Sequence, residues 1–253
     1  MSENGVRIIL VTTMNDWNGR EIRIAKSRLG KISVCNYRDN LIVPHNSVFP
    51  HPDIVKKLYK SNHSKDFDGS ARSEVSKELG FYCDLQSLRS EDAITWSVFG
   101  TLHYFPKQTQ IGFVNSLLEL IGERLKVKDC EIQLWSRVAH PDTLVSGGPE
   151  LDFQIVTDKM VIFGESKWTS KLSKDQGVGR NKDQLQLRRE YMQKYGKAIF
   201  RKVQRLLVLV VGLVEQESLT CPFTTWKQVC DNAQHPMKEE VRKYYRWKEK
   251  HGR

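Results

Sequence analysis

The chain has 253 residues, with 40 Lys and Arg against 30 Asp and Glu, for a formal net charge of +10. That length suits one large domain or a core with an appendage, and 39% apolar residues exclude a disordered chain. The longest apolar run, residues 206–214 (LLVLVVGLV), has nine residues, where a membrane span needs about 20.

The first ninety residues carry weak signals. Residues 6–12 (VRIILVT) read as a strand, and residues 31–37 and 40–43 as two short ones. Pro44, Pro50 and Pro52 make residues 45–53 a loop that ends at a short helix over residues 53–59. Residues 61–70 are polar and read as a connection.

The pattern is regular from Ser90 onward. Ser90 can cap a helix with Glu91 and Asp92 in its first turn, where carboxylates favour the helix dipole. Ile94, Val98, Phe99 and Leu102 follow at helical spacing, and residues 111–126 give a second amphipathic helix. Residues 131–138 alternate as a strand, and Gly147-Gly148-Pro149 is a turn. Residues 151–156 and 161–165 then form two strands around a turn at residues 157–159. A loop at residues 177–179 leads to a helix over residues 182–195 and a buried strand over residues 204–213. Residues 224–234 and 236–250 read as two closing helices. The expected fold is therefore α/β, with a mixed sheet flanked by helices. Residues 1–89 form an N-terminal extension of unassigned fold, and residues 90–253 the main domain with its C-terminal helices.

Five cysteines (Cys35, Cys83, Cys130, Cys221, Cys230) form no close pair, which argues against a zinc ribbon or a disulfide framework. The N-terminal sequence lacks the basic region and cleavage site of a signal peptide. A reducing, cytoplasmic setting without membrane attachment is expected.

Glu165-Ser166-Lys167 is the one acid-x-Lys pattern in the chain. Residues i and i+2 of a strand share a face, so Glu165 and Lys167 project together. The hairpin brings Asp152 beside them. Two carboxylates and an ammonium at a sheet edge suit Mg²⁺ binding and phosphodiester chemistry. The bland alternative is a surface ion pair worth about 0–1 kcal/mol, exposed and far from Asp152.

Gly147-Gly148-Pro149-Glu150-Leu151-Asp152 followed by Glu165-Ser166-Lys167 resembles the PD-(D/E)XK nuclease superfamily. The resemblance covers about half the chain, roughly residues 90–213. It implies a restriction-endonuclease-like α-β-β-β-α-β core, the order read above. It implies Mg²⁺, or Mn²⁺ in its place, on Asp152, Glu165 and the Ser166 carbonyl, with Glu91 as a further acid. Lys167 would assist the water or the transition state. Gln184, with Gln186 as a rival, would position Lys167, the water or a phosphate. Glu150 competes with Asp152. Gln186 to Tyr191 is one residue too long for the exonuclease-type QxxxY pattern.

The expected activity is metal-dependent hydrolysis of DNA, duplex above all, by an endonuclease of restriction or antiphage defence. Trp168, Lys171, Lys174, Arg180, Lys182 and Arg188 would line the nucleic-acid groove. A homodimer is compatible with double-strand cutting, and any ATPase would come from a separate subunit, since no GxxxxGK[ST] is present. The alternatives are an inactive nuclease-like binding module and an RNA-directed nuclease. Tyr244, Tyr245 and Trp247 among the basic residues of 238–250 read as a core stripe with a solvated basic face.

Overall fold

The computed structural model describes residues 10–26, 30–64, 83–139, 148, 150–170, 172, 179–214 and 219–253. The chain divides into two compact units, residues 1–97 with 242–253, and residues 98–241.

In the first unit, β1 (Leu10–Asn15), β2 (Glu21–Lys26) and β3 (Ile32–Val34) form an antiparallel sheet in that order. The sequence of β2, EIRIAK, buries Ile22, Ile24 and Ala25 and exposes Glu21 and Arg23, the alternation of a half-buried strand. Of the strand expected over residues 6–12, residues 6–9 lie outside the described residues. The strand expected over residues 40–43 is not formed. A 3₁₀ turn at Tyr37–Asn40 takes the chain inward, because the Asn36 side chain accepts from the Arg38 N–H at its start. Asn40 is buried and its amide donates to the carbonyls of Leu85 and Ser87 at 2.7 and 2.8 Å. α1 (Pro52–Ser64) runs past residue 59 into the segment expected to be a connection.

α2 (Glu91–Phe99) begins where expected, with the Ser90 Oγ accepting from the Ala93 N–H at 3.2 Å. The first unit is completed by the later part of a distant helix, Lys238–His251, α7 below. Its Tyr244 hydroxyl donates to the Asn40 carbonyl and its Trp247 indole to the Asn15 carbonyl, each at 2.9 Å. Lys248 is fully buried and donates to the Leu88 carbonyl at 2.6 Å. Burial drives its ammonium well below the ordinary lysine range, against the opposing pull of the Glu91 charge.

The second unit contains α3 (Lys107–Leu120), β4 (Cys130–Leu134), β5 (Phe153–Thr157) and β6 (Met160–Ser166). α4 (Gln184–Tyr191) follows, then a π turn at Met192–Gly196 and α5 (Lys197–Ile199). β7 (Arg205–Gly212), β8 (Phe223–Thr225) and α6 (Trp226–Asn232) come next, and α7 (Lys238–His251) starts here. The five strands make one mixed sheet in the order β4-β5-β6-β7-β8. β4, β5 and β6 pair antiparallel, whereas β7 runs parallel to both β6 and β8. The α/β class read from the sequence is the class observed.

β6 lies at the centre and all seven of its residues are buried, as expected of a strand covered on both faces. Val161 and Phe163 share a core cluster with Leu185 and Met192 from the α4 segment. On the other side, the rings of Phe99 and Phe153 stack at 4.1 Å. The Phe153 ring also covers Gly164 so closely that a Cβ there would sit 2.2 Å from it. Glycine is required at this point by that ring.

Among the described residues, no helix is long and apolar enough to cross a membrane. None of the five cysteines forms a disulfide. His235 is buried between α6 and α7, with Nε2 2.9 Å from the Val98 carbonyl and Nδ1 accepting from the Met237 N–H at 3.0 Å. These contacts select the neutral Nε2–H tautomer. Burial lowers its pKa to about 4, partly opposed by the bond to Val98.

Two outcomes follow for stability. Gly164→Ala must displace the Phe153 ring, and it is expected to cost about 1–3 kcal/mol in chemical denaturation. His235 has a folded pKa below its unfolded value of about 6.5. Its contribution is full above that value and is lost as pH falls toward about 4, by roughly 3 kcal/mol. Denaturation curves at successive pH values should show a shallower decline for His235→Gln than for the parent.

Candidate active site

β5 and β6 pair with Phe153 opposite Gly164, which sets Asp152 opposite Glu165. The Asp152 Oδ2 accepts from the Ser166 N–H at 2.7 Å. A hydrogen bond from main chain to carboxylate therefore fixes Asp152 at Ser166, the residue between Glu165 and Lys167. Beyond β5 the chain stays in register with the β4 side, the Trp135 N–H donating to the Asp152 carbonyl at 3.2 Å.

Glu165 is 1% exposed and Lys167 5%. The Lys167 Nζ lies 2.7 Å from the Glu165 Oε1. The backbone of Lys167 is held on both sides, its N–H donating to the Val211 carbonyl at 2.8 Å and its carbonyl accepting from the Trp226 indole at 2.9 Å. The exposed surface pair described above is therefore not what forms: these charges are inside and adjacent to Asp152.

A third charge completes the cluster. Arg188 on α4 is 2% exposed, and its Nη2 lies 2.5 Å from the Glu165 Oε2. The same guanidinium donates to the Glu150 carbonyl at 2.9 Å and to the Gln184 carbonyl at 3.0 Å. It thus ties β6, the segment before β5 and the start of α4 to one planar group. Arg188 was grouped with the DNA-facing residues on sequence; it is instead turned inward, because the buried Glu165 carboxylate needs a counter-ion more than the surface needs another cation. A sequence signal for this exists. Leu185, Arg188 and Met192 share one helical face, and both apolar members are buried.

The remaining expected residues divide by position. Trp168 is 3% exposed, so its indole is part of the interior rather than a stacking surface. Arg180 is exposed. Lys182 pairs with Glu190 at 2.8 Å. Gln184 is half-buried at the first position of α4, and Gln186 bonds to Glu190 at 3.1 Å. Lys171 and Lys174 lie outside the described residues. Glu150 faces Arg137, 3.7 Å from its Nη2. Glu91 belongs to the first unit, where its charge acts on Lys248.

The donor set fits a hard divalent cation. Mg²⁺ is commonly held by one or two carboxylates, with water and substrate completing its shell. Asp152 and Glu165 provide two carboxylates, and Ser166 between them a main-chain carbonyl. Both Glu165 oxygens face a cation, Oε1 the Lys167 ammonium and Oε2 the Arg188 guanidinium, so a metal on this carboxylate would share it with them. Among the described residues, no group of three or more His, Cys, Asp or Glu side chains is placed to hold a metal, so the carboxylates here number two.

Both cations of the cluster, Lys167 and Arg188, pair with Glu165, which predicts an asymmetry between variants. Glu165→Gln removes the carboxylate with which both buried cations pair, at an expected cost of about 3–5 kcal/mol. Lys167→Met leaves a neutral Glu165–Arg188 pair and should cost clearly less. Equal losses in urea denaturation would show that the charge balance of the cluster does not govern its stability.

No family model, curated protein or solved structure matches this chain, so the geometry of this site is what bears on its function.

Proposed function

We propose that the second unit is a metal-dependent nuclease that hydrolyses DNA, built on a restriction-endonuclease-like core. One observation carries the reading: Asp152, fixed on the Ser166 N–H, sits with the buried Glu165 and Lys167 at the end of the central strand. The order β4, β5, β6, α4, β7 and the antiparallel-then-parallel pairing support the core.

In this reading Asp152, Glu165 and the Ser166 carbonyl hold Mg²⁺, which Mn²⁺ can replace. A bound Mg²⁺ lowers the pKa of water and offsets charge on a phosphodiester. Lys167 presents an ammonium where negative charge builds on the scissile phosphate, and its fixed backbone limits the reorganisation required. Arg188 holds Glu165 without reaching substrate. Gln184 stands at the start of α4, placed to orient Lys167 or a phosphate. Exposed Arg180 contributes to the DNA surface. Duplex DNA is the proposed substrate, an endonuclease of restriction or antiphage defence the proposed role, and a homodimer or a separate ATPase subunit the proposed assembly.

A second reading draws on the same cluster. With cations at both Glu165 oxygens, the unit could bind nucleic acid without cutting it.

A cleavage assay separates the two. Supercoiled plasmid, linear duplex, single-stranded DNA and RNA are incubated with Mg²⁺ or Mn²⁺, with EDTA as control. Asp152→Ala and Lys167→Ala are each expected to slow metal-dependent cutting by roughly 10²-fold or more. Cutting that survives both substitutions would remove the site from the reaction. Salt-sensitive binding without cutting would favour the second reading.

A further inference from the structure

In the first unit, α7 runs beside the turn that joins β1 and β2. A groove of about 540 Å³ lies between them, lined by Trp17, Lys243, Arg246, Trp247, Lys250 and His251, among others. Along α7, Lys243, Arg246 and Lys250 are exposed and spaced i, i+3, i+7, so they form one row. At 1.5 Å per residue the row spans about 10 Å. Tyr244 and Tyr245 are buried away from the row, and Trp247 is buried at its edge, where it lines the groove. The helix is thus a wall with an aromatic inner face and a cationic outer one.

Two features distinguish this row from an ordinary solvated helix face. Among the described residues, none of its three cations has a carboxylate within ion-pair distance. Of the acids on the helix, Glu249 accepts from Arg253 and Tyr245, and Glu239 and Glu240 lie exposed in the first turn, N-terminal to the row. The Asp16 carboxylate in the groove wall accepts from the Asn18 and Arg20 N–H groups and from the Arg20 guanidinium, and its side chain is 1% exposed. Around Arg246 and Lys250 positive charge therefore predominates, and Lys250 and Lys26 both act on His251. The second feature is Trp17. Its indole is half-exposed at the groove and braced edge-on by Tyr244 at 5.0 Å and Trp247 at 5.2 Å. A braced, half-exposed indole beside a row of cations is the combination that binds a polynucleotide: phosphates on the ammonium and guanidinium groups, a base on the ring.

We infer that the groove between α7 and the β1–β2 turn is a binding site for a single nucleic-acid strand, with Lys243, Arg246 and Lys250 on its phosphates and Trp17 stacking a base. The site is additional to the candidate active site, and the inference rests on the nuclease reading only for the choice of polyanion.

The test uses the full chain and a fluorescently labelled single-stranded oligonucleotide in EDTA, so that binding is read without cleavage. A Lys243→Gln/Arg246→Gln/Lys250→Gln variant should bind more weakly. Its plot of log affinity against log salt should be shallower by about 2, the value for three lost contacts on a single strand. All three side chains are exposed, so its thermal midpoint should match the parent's. Trp17→Leu keeps apolar packing against Tyr244 and Trp247 but removes the aromatic face. It should weaken binding roughly tenfold with the salt slope unchanged. An unchanged salt slope in the triple variant would overturn the proposal, as would parental affinity in Trp17→Leu. Equally effective displacement by polyglutamate would overturn it too, because it would show charge attraction without base recognition. Failure of the nuclease reading is distinguishable: that reading stands or falls on cutting with Mg²⁺, whereas this site is read in EDTA from the Trp17 and triple variants alone. A chain that never cuts but shows the expected binding changes would retain this site and lose that reading.

Discussion

The Glu165 carboxylate, buried at the end of β6 between two cations, is the constraint on which the second unit depends. A lone carboxylate there would be prohibitively costly to desolvate. Lys167 and Arg188 answer that cost from different directions, one from two residues along the strand and the other from α4. Arg188 extends the answer to the carbonyls of Glu150 and Gln184, so the same charge that neutralises Glu165 also sets where the chain enters β5 and where α4 begins. Position and electrostatics are one arrangement. The Asp152 carboxylate is then placed on the main chain of β6, at the Ser166 N–H.

The rest of the sheet serves this end of β6. Phe153 lies flat against Gly164, allowing β5 and β6 to approach where a side chain would separate them. The Val211 and Trp226 contacts hold the Lys167 backbone at the point where β6 ends. Rigid support of this kind matters for any chemistry at Lys167, because a long flexible side chain is directed only as well as its own main chain is fixed.

Much of this was legible in the sequence, for reasons tied to short-range pattern. The β5–β6 hairpin followed from two apolar runs about a Thr-Asp-Lys turn, and residue spacing alone put Glu165 and Lys167 on one face. α2 was marked by its Ser90 cap, and β7 by its β-branched apolar run. What stayed hidden depends on distant partners. Arg188 sits among Arg and Lys residues that normally face water, and only a buried acid 23 positions earlier explains its inward turn. Trp168 resembled a stacking residue because it is surrounded by lysines in sequence, yet it is enclosed. Residues 40–43 looked extended, but the capping side chain of Asn36 and the buried amide of Asn40 turn them inward. The strand at Glu21–Lys26 sets Ile22 and Ile24 between exposed Glu21 and Arg23, a local alternation that marks its buried face.

The composition of the first unit has a temporal consequence. Tyr244, Trp247 and Lys248 supply bonds to Asn40, Asn15 and Leu88, across separations of 160 to 232 residues. Synthesis runs from the N-terminus, so residues 10–97 leave the ribosome long before the helix that completes their core. The second unit, contiguous over residues 98–241, is fully synthesised first. Maturation thus reverses the written order: the later-encoded body can close while the earlier one waits. A nascent chain stalled before residue 242 would carry every side chain of the candidate active site and none of the cationic row on α7. Whatever that groove contributes is therefore withheld until translation has passed the second unit.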